Sequence, residues 1–186
     1  MRITADNPTP MTLDGTNTYV LFADDDASAL LIDPGPELPA HRDAFLAAIG
    51  GRTLVGIVLT HQHWDHSDML ATIDQWAPDV PVYAGLRRFA RHTAPVTDGQ
   101  QVRFGPGRGD TVELIATPGH TADSISVLHG DTLYSGDTVL GRGTTVVTHP
   151  EGSLADYLDS LGSLLAMAIA GQVHGDRTGP RSYGHG

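Results

Sequence analysis

Residues 53–59, TLVGIVL, form an apolar run that carries no charge, and THQHWDHSD (60–68) follows it directly. An apolar run of that length reads as a strand covered on both faces. A chain containing it must layer other structure on each side of a sheet. Three histidines and two aspartates then crowd the end of a buried strand, where a solvated turn, one metal site, or half of a two-metal site would each account for them. Nothing in 60–68 is Gly or Pro, the usual turn residues, so the turn is the weakest of the three.

The spacing differs from the helical HExxH zinc pattern, which sets its ligands four apart on one face. His61 and His63 are two apart, so on an extended segment they point the same way and can grip one ion together. Asp65 and His66 should follow in a tight loop, aimed differently, where a second site could begin. The chain has no cysteine, so any zinc must be held by His nitrogen and Asp oxygen. Iron or manganese also suits such donors. Trp64 is expected to pack beside the loop.

The rest of the chain alternates strands and helices. Thr16–Ala23, Ser28–Ile32, Val80–Tyr83, Thr111–Ala116, Ser124–Leu128 and Thr132–Tyr134 read as strands. Helices are expected over Leu38–Ile49, around Met69–Trp76, and after Ser153. Residues 85–92 read as one or two helical turns. After Ser153, Leu154, Tyr157, Leu158, Leu161, Leu164 and Leu165 form one apolar stripe. The halves echo each other: GIVLTH (56–61) and ELIATPGH (113–120) break at Thr before His, and SALLID (28–33) and TLYSGD (132–137) run into Asp. A duplicated β-rich unit would bring these strand ends to a common edge. At 186 residues, with no linker between the halves, this is one domain.

Composition narrows the function. Twenty-two acidic against eleven basic residues, a net charge of −11, oppose general nucleic-acid binding. The N-terminus has no apolar signal core, and LLAMAIA (164–170) is too short to span a bilayer, so a cytoplasmic protein with no membrane partner is expected.

Taken together, these motifs resemble the metallo-β-lactamase superfamily. T-H-x-H-x-D-H at 60–66 matches its signature. Asp33-Pro34-Gly35, Pro118-Gly119-His120-Thr121 and Ser135-Gly136-Asp137-Thr138 resemble its companion motifs in order. GTNTYVL (15–21), LIDPGP (31–36), VLGRGTTVV (139–147) and YLDSL (157–161) are similar to the branch holding glyoxalase II-like hydrolases and β-lactamase-like protein 2 endoribonucleases. The resemblance extends to about residue 168. It implies a four-layer αββα sandwich, two mixed sheets with helices outside, over residues 1–186, without the branch's C-terminal accessory domain. It also implies two zinc ions: His61, His63 and His120 on the first, Asp65, His66 and a final His on the second, and Asp137 bridging. A hydroxide between the ions would attack the substrate, with Asp65 orienting it and taking its proton; Asp33 and Thr60 would hold the loop.

The final histidine has two candidates. His185, in SYGHG, is the better local match, whereas His174, in GQVHGD, has the better spacing and the more apolar approach. The local match favours His185. His41, His92, His129 and His149 read as surface or capping residues, with His149 placed to line a cleft, and Arg142 as a solvated charge. The implied reaction is hydrolysis of a small-molecule thioester, ester or lactone. The alternatives are a single-strand RNA endonuclease and a truncated or non-catalytic relative. β-Lactam hydrolysis is disfavoured, because the matching motifs belong to a cytoplasmic branch.

Overall fold

The computed structural model describes residues 1–175. Its strands in chain order are β1 (Arg2–Thr4), β2 (Asn17–Phe22), β3 (Ser28–Ile32), β4 (Thr53–Val58), β5 (Val82–Tyr83), β6 (Gln100–Arg103), β7 (Thr111–Ala116), β8 (Ile125–His129), β9 (Thr132–Tyr134) and β10 (His174–Gly175). They form two five-stranded sheets, ordered β1-β2-β3-β4-β5 and β10-β9-β8-β7-β6. Both sheets are mixed. In the first, β3, β4 and β5 run parallel while β1, β2 and β3 pair antiparallel. In the second, only the β9–β10 pair is parallel.

The apolar run at 53–59 is explained by its neighbours. Val58 faces the core between the sheets with Leu30 and Ile32, against Val112, Leu114 and Val127 of the second sheet. Ile57 faces the opposite way, with Ala29 and Leu31, onto Phe45, Ile49, Met69 and Ile73. Alternate residues thus enter two different cores, and the C-terminal half of the strand, Gly56–Val58, has no exposed position for a polar side chain. The outer core is covered by α1 (Pro39–Ile49) and a 3₁₀ segment, Asp68–Gln75. Pro39 suits the first turn of α1, where an N–H partner is not needed. The αββα layering expected from the motifs is the observed one, with α3 (Leu154–Ile169) supplying the helix on the second sheet's side.

Several local expectations change. Asp65 and His66 lie on α2 (Trp64–Ser67), a single helical turn rather than a loop. The helix expected around Met69–Trp76 is 3₁₀ over Asp68–Gln75. β1, β6 and β10 were not legible in the sequence, being two to four residues long with little apolar alternation. The stripe on α3 also divides. Leu164 is buried, but Leu154, Leu158 and Leu165 are 58–64% exposed, because the helix docks by a narrower face. That face makes two hydrogen bonds, Ser160 Oγ to Pro118 O at 2.7 Å and Tyr157 Oη to Thr138 O at 3.0 Å. Among the described residues no helix is long and apolar enough to cross a membrane.

His41 is the clearest reversal. It is buried on α1, 5% exposed, edge-on to Phe45, with Nε2 2.7 Å from Thr18 Oγ1. Thr18 in turn donates to Asp33 O at 2.5 Å, so His41 braces the turn after β3. A surface reading failed because the apolar face of α1 runs through positions 41, 45 and 49. Burial lowers the pKa of His41 below its ordinary value. The unfolded chain therefore takes up this proton first as pH falls, and the stability from a neutral His41, complete above about 6.5, is lost below it. His41→Gln should flatten the dependence of unfolding free energy on pH below 6.5, by up to about 1.4 kcal/mol per pH unit. Urea melts of both proteins between pH 7 and 5 check this; equal slopes would refute it.

Candidate metal centre

Strand direction assembles the site. Because β3 and β4 are parallel, with Ile32 paired to Val58, the residues after them emerge side by side at one edge. Asp33 therefore lies beside Thr60 and His61. In the second sheet β7 and β9 both run antiparallel to β8, so their ends share an edge too, bringing His120 and Asp137 together. The sheets are joined there by Ile125 N–H donating to Thr60 O at 2.8 Å. At Gly136 (φ +50) an added Cβ would lie 2.8 Å from Thr60 Cβ, so the aspartate turn of one sheet rests directly on the histidine loop of the other.

Two groups of donor atoms result. His61 Nε2 and His120 Nε2 lie 3.1 and 3.0 Å from His63 Nδ1. In the second group His66 Nε2 is 3.3 Å from Asp65 Oδ2 and 3.4 Å from Asp137 Oδ1. The other Asp137 oxygen, Oδ2, is 3.9 Å from His61 Nε2 and 3.7 Å from His120 Nε2, so one carboxylate faces both groups. His61, His66 and His120 are buried, and His63 is partly exposed.

Partners on the outer nitrogens fix the ring orientations. Thr60 Oγ1 donates to Asp33 Oδ2 at 2.7 Å, so it accepts from His61 Nδ1 at 3.1 Å. Val146 O accepts from His120 Nδ1 at 2.7 Å, and Asp33 Oδ2 accepts from His66 Nδ1 at 2.8 Å. With those nitrogens protonated in the neutral rings of His61 and His120, the inner nitrogens of these two are bare lone pairs. Three ring nitrogens converge at about 3 Å, and one proton at most could be shared among them, since those of His61 and His120 are bare. A divalent cation satisfies that arrangement, and the residues fit a metal in their chemistry as well as their position.

Electrostatics agree with the grouping. Burial, then the neighbouring histidines, push the pKa of His61 well below its ordinary value, and burial lowers His120 despite its Val146 and Asp137 contacts. Burial would also lower His66, but Asp33, Asp137 and Asp65 outweigh it and raise its pKa well above the ordinary value. Burial would raise Asp65, yet His66 and the Thr16 hydroxyl, at 2.7 Å from Oδ2, hold it at about 2. Asp137 is likewise held low, since hydrogen bonding and charge from His66 overcome its burial.

Six of the residues singled out in the sequence, His61, His63, Asp65, His66, His120 and Asp137, stand within this one cluster. Of the two candidates for a seventh, His174 lies on β10, where its backbone pairs with Thr132, and its side chain is outside the described part of the structure. His185 lies outside the described residues altogether. Trp64 is 54% exposed rather than packed against the loop. His129 caps by facing Gly109 O at 3.0 Å, and Arg142 pairs with Asp14 at 2.7 Å on the surface. Thr16, Val146 and Glu151 contact site residues without having been singled out. A threonine before a strand and two loop positions carry no signal of their own in the sequence.

Comparison with known proteins gives the same placement. The family model of the metallo-beta-lactamase superfamily matches residues 11–170. A beta-lactamase-like protein 2 homolog of Caenorhabditis elegans is 37% identical over 175 residues, covering 86% of this chain and 55% of that protein. An atrochrysone carboxyl ACP thioesterase of Cryptosporiopsis sp. is 30% identical over 158 residues, covering 80% of this chain and 46% of that protein. The chain spans about half the length of these curated relatives. Among solved structures, ETHE1 from Myxococcus xanthus superposes with a TM-score of 0.70 at 29% identity, over 89% of this chain and 68% of the other. TTHA1623, solved in a di-iron-bound form, has the same fold, with a TM-score of 0.68 at 21% identity, over 90% of this chain and 86% of the other. The chain belongs to the metallo-β-lactamase superfamily.

Proposed function

We propose that the protein is a dinuclear-zinc hydrolase acting on a small-molecule thioester, ester or lactone. One observation carries the reading: two groups of donor atoms face each other across a shared carboxylate, Asp137. His61, His63 and His120 would hold one ion, and Asp65, His66 and Asp137 the other, with Asp137 common to both. Iron or manganese suits the same donors. When bound, such a pair of ions polarises a carbonyl oxygen and activates water at neutral pH.

The chain's own residues supply the remainder. Asp65 stays ionised at neutral pH, with Oδ2 fixed by Thr16, and is the base assigned to receive the proton of the attacking water. Asp33 keeps His61 and His66 turned inward, the first through Thr60. A cleft of about 1020 Å³ opens on Asp65, His66 and Asp137, and Met11, Leu13, Val139, Leu140 and Leu161 contribute apolar wall. That size and lining suit a small acyl compound. The relatives named as thioesterases favour the same substrate class. A net charge of −11 disfavours the phosphate backbone of RNA, the alternative substrate.

The zinc-supplemented protein should hydrolyse S-lactoylglutathione or simple acyl thioesters and leave a labelled single-stranded RNA intact. RNA cleavage without thioester turnover would reverse the assignment. Asp33→Ala should weaken metal binding about 10–100-fold, because two histidines lose their orienting partner. Chelator competition measures this, and unchanged affinity would remove Asp33 from that role.

A further inference from the structure

Each histidine of the first donor group has one nitrogen facing inward and one facing outward. For His61 and His120 the outward partners are Thr60 Oγ1 and Val146 O. His63 differs in that its inward atom is Nδ1, which leaves Nε2 outward, 3.3 Å from Glu151 Oε2. We propose that Glu151 is a positioning residue for the metal centre: its carboxylate accepts the His63 Nε2 proton and so keeps Nδ1 bare and aimed at the metal. The proposal rests on the reading of His61, His63 and His120 as metal ligands.

Glu151 is exposed, its side chain at 53%, and an exposed pair of this kind adds little to folding stability. Its backbone, however, is not free to wander. Ala122 N–H donates to Glu151 O at 2.8 Å, and Ser153 N–H donates to Gly119 O at 2.9 Å, so the loop is bound to the His120 turn at Glu151 and two residues after it. At Gly152 there is no room for a side chain, since an added Cβ would collide with the carbonyl oxygens of Gly119 and His120. The loop that carries Glu151 also carries Val146, so residues 146–151 orient two of the three histidines from outside the sheets. A carboxylate behind a histidine fixes its tautomer and makes the opposite nitrogen a better donor to a metal. The effect therefore belongs to metal affinity and ring orientation, not to the fold.

Zinc affinity by chelator competition, together with the ¹⁵N–¹H signals of the His63 ring in the zinc-loaded protein, tests this. Glu151→Ala should bind zinc at the first site about 10–100-fold more weakly and lose the protected Nε2–H signal of His63, with an unchanged melting transition before zinc is added. Glu151→Gln, which keeps an acceptor oxygen but no charge, should fall between Ala and the parent, and it serves as the test if the Ala variant misfolds. Asp159→Ala, an exposed carboxylate on α3, is the control and should match the parent. Parent-like affinity and an unchanged His63 signal in Glu151→Ala would overturn this proposal alone. Failure of the parent protein to bind zinc would instead overturn the metal reading, and this proposal with it.

Discussion

The hydrogen bonds to Asp33 connect the fold to the site more directly than any other contact. The residue is 3% exposed, and its carboxylate accepts from Thr60 N–H and Thr60 Oγ1, each at 2.7 Å, and from His66 Nδ1 at 2.8 Å. A buried carboxylate without such donors would cost several kcal/mol. Here the donors are fixed because parallel pairing of β3 with β4 delivers Thr60 to the same edge, and because Asp33 N–H itself bonds Val58 O at 2.9 Å. Asp33 adopts φ 52, a left-handed conformation that aspartate tolerates, and this turns its side chain back over the strand ends. Thr18 and His41 hold that turn from behind.

From Asp33 the orientation spreads outward through protons. The path His61 Nδ1–H to Thr60 Oγ1–H to Asp33 points His61 Nε2 into the first donor group, and His66 Nδ1–H to the same carboxylate points His66 Nε2 into the second. One anion thus sets a ring in each group. The second sheet contributes the other half, His120 and Asp137, through a comparable edge where β7 and β9 end together. Rigidity follows from this arrangement. The site residues stand at or just beyond the ends of strands that contribute Val58, Val112 and Leu114 to the core, so their positions are tied to the packed sheets.

Much of this was legible in the sequence. THQHWDHSD after an apolar strand, together with the companion motifs at 118–121 and 135–138, carried the resemblance to the superfamily, and that resemblance named six members of the cluster and the layered architecture. What escaped notice depends on contacts distant in sequence. His41 resembles a surface residue until α1 packs its face onto the first sheet, and Glu151 approaches His63 across 88 positions. Short strands such as β1 and β6 are set by pairing with neighbours and carry too few residues to show a period. The stripe on α3 misled for the opposite reason: leucines at helical spacing mark a face, but not whether anything covers it.

The central claim is that the ends of the two sheets build one centre for two ions, joined by Asp137. Crystals soaked in zinc and measured at wavelengths on either side of the zinc absorption edge test it most directly. Two anomalous peaks are predicted, one at bonding distance from His61 Nε2, His63 Nδ1 and His120 Nε2, the other from His66 Nε2 and Asp65, with an Asp137 oxygen on each. A single peak that leaves His66 and Asp65 without metal, or peaks remote from these side chains, would contradict it.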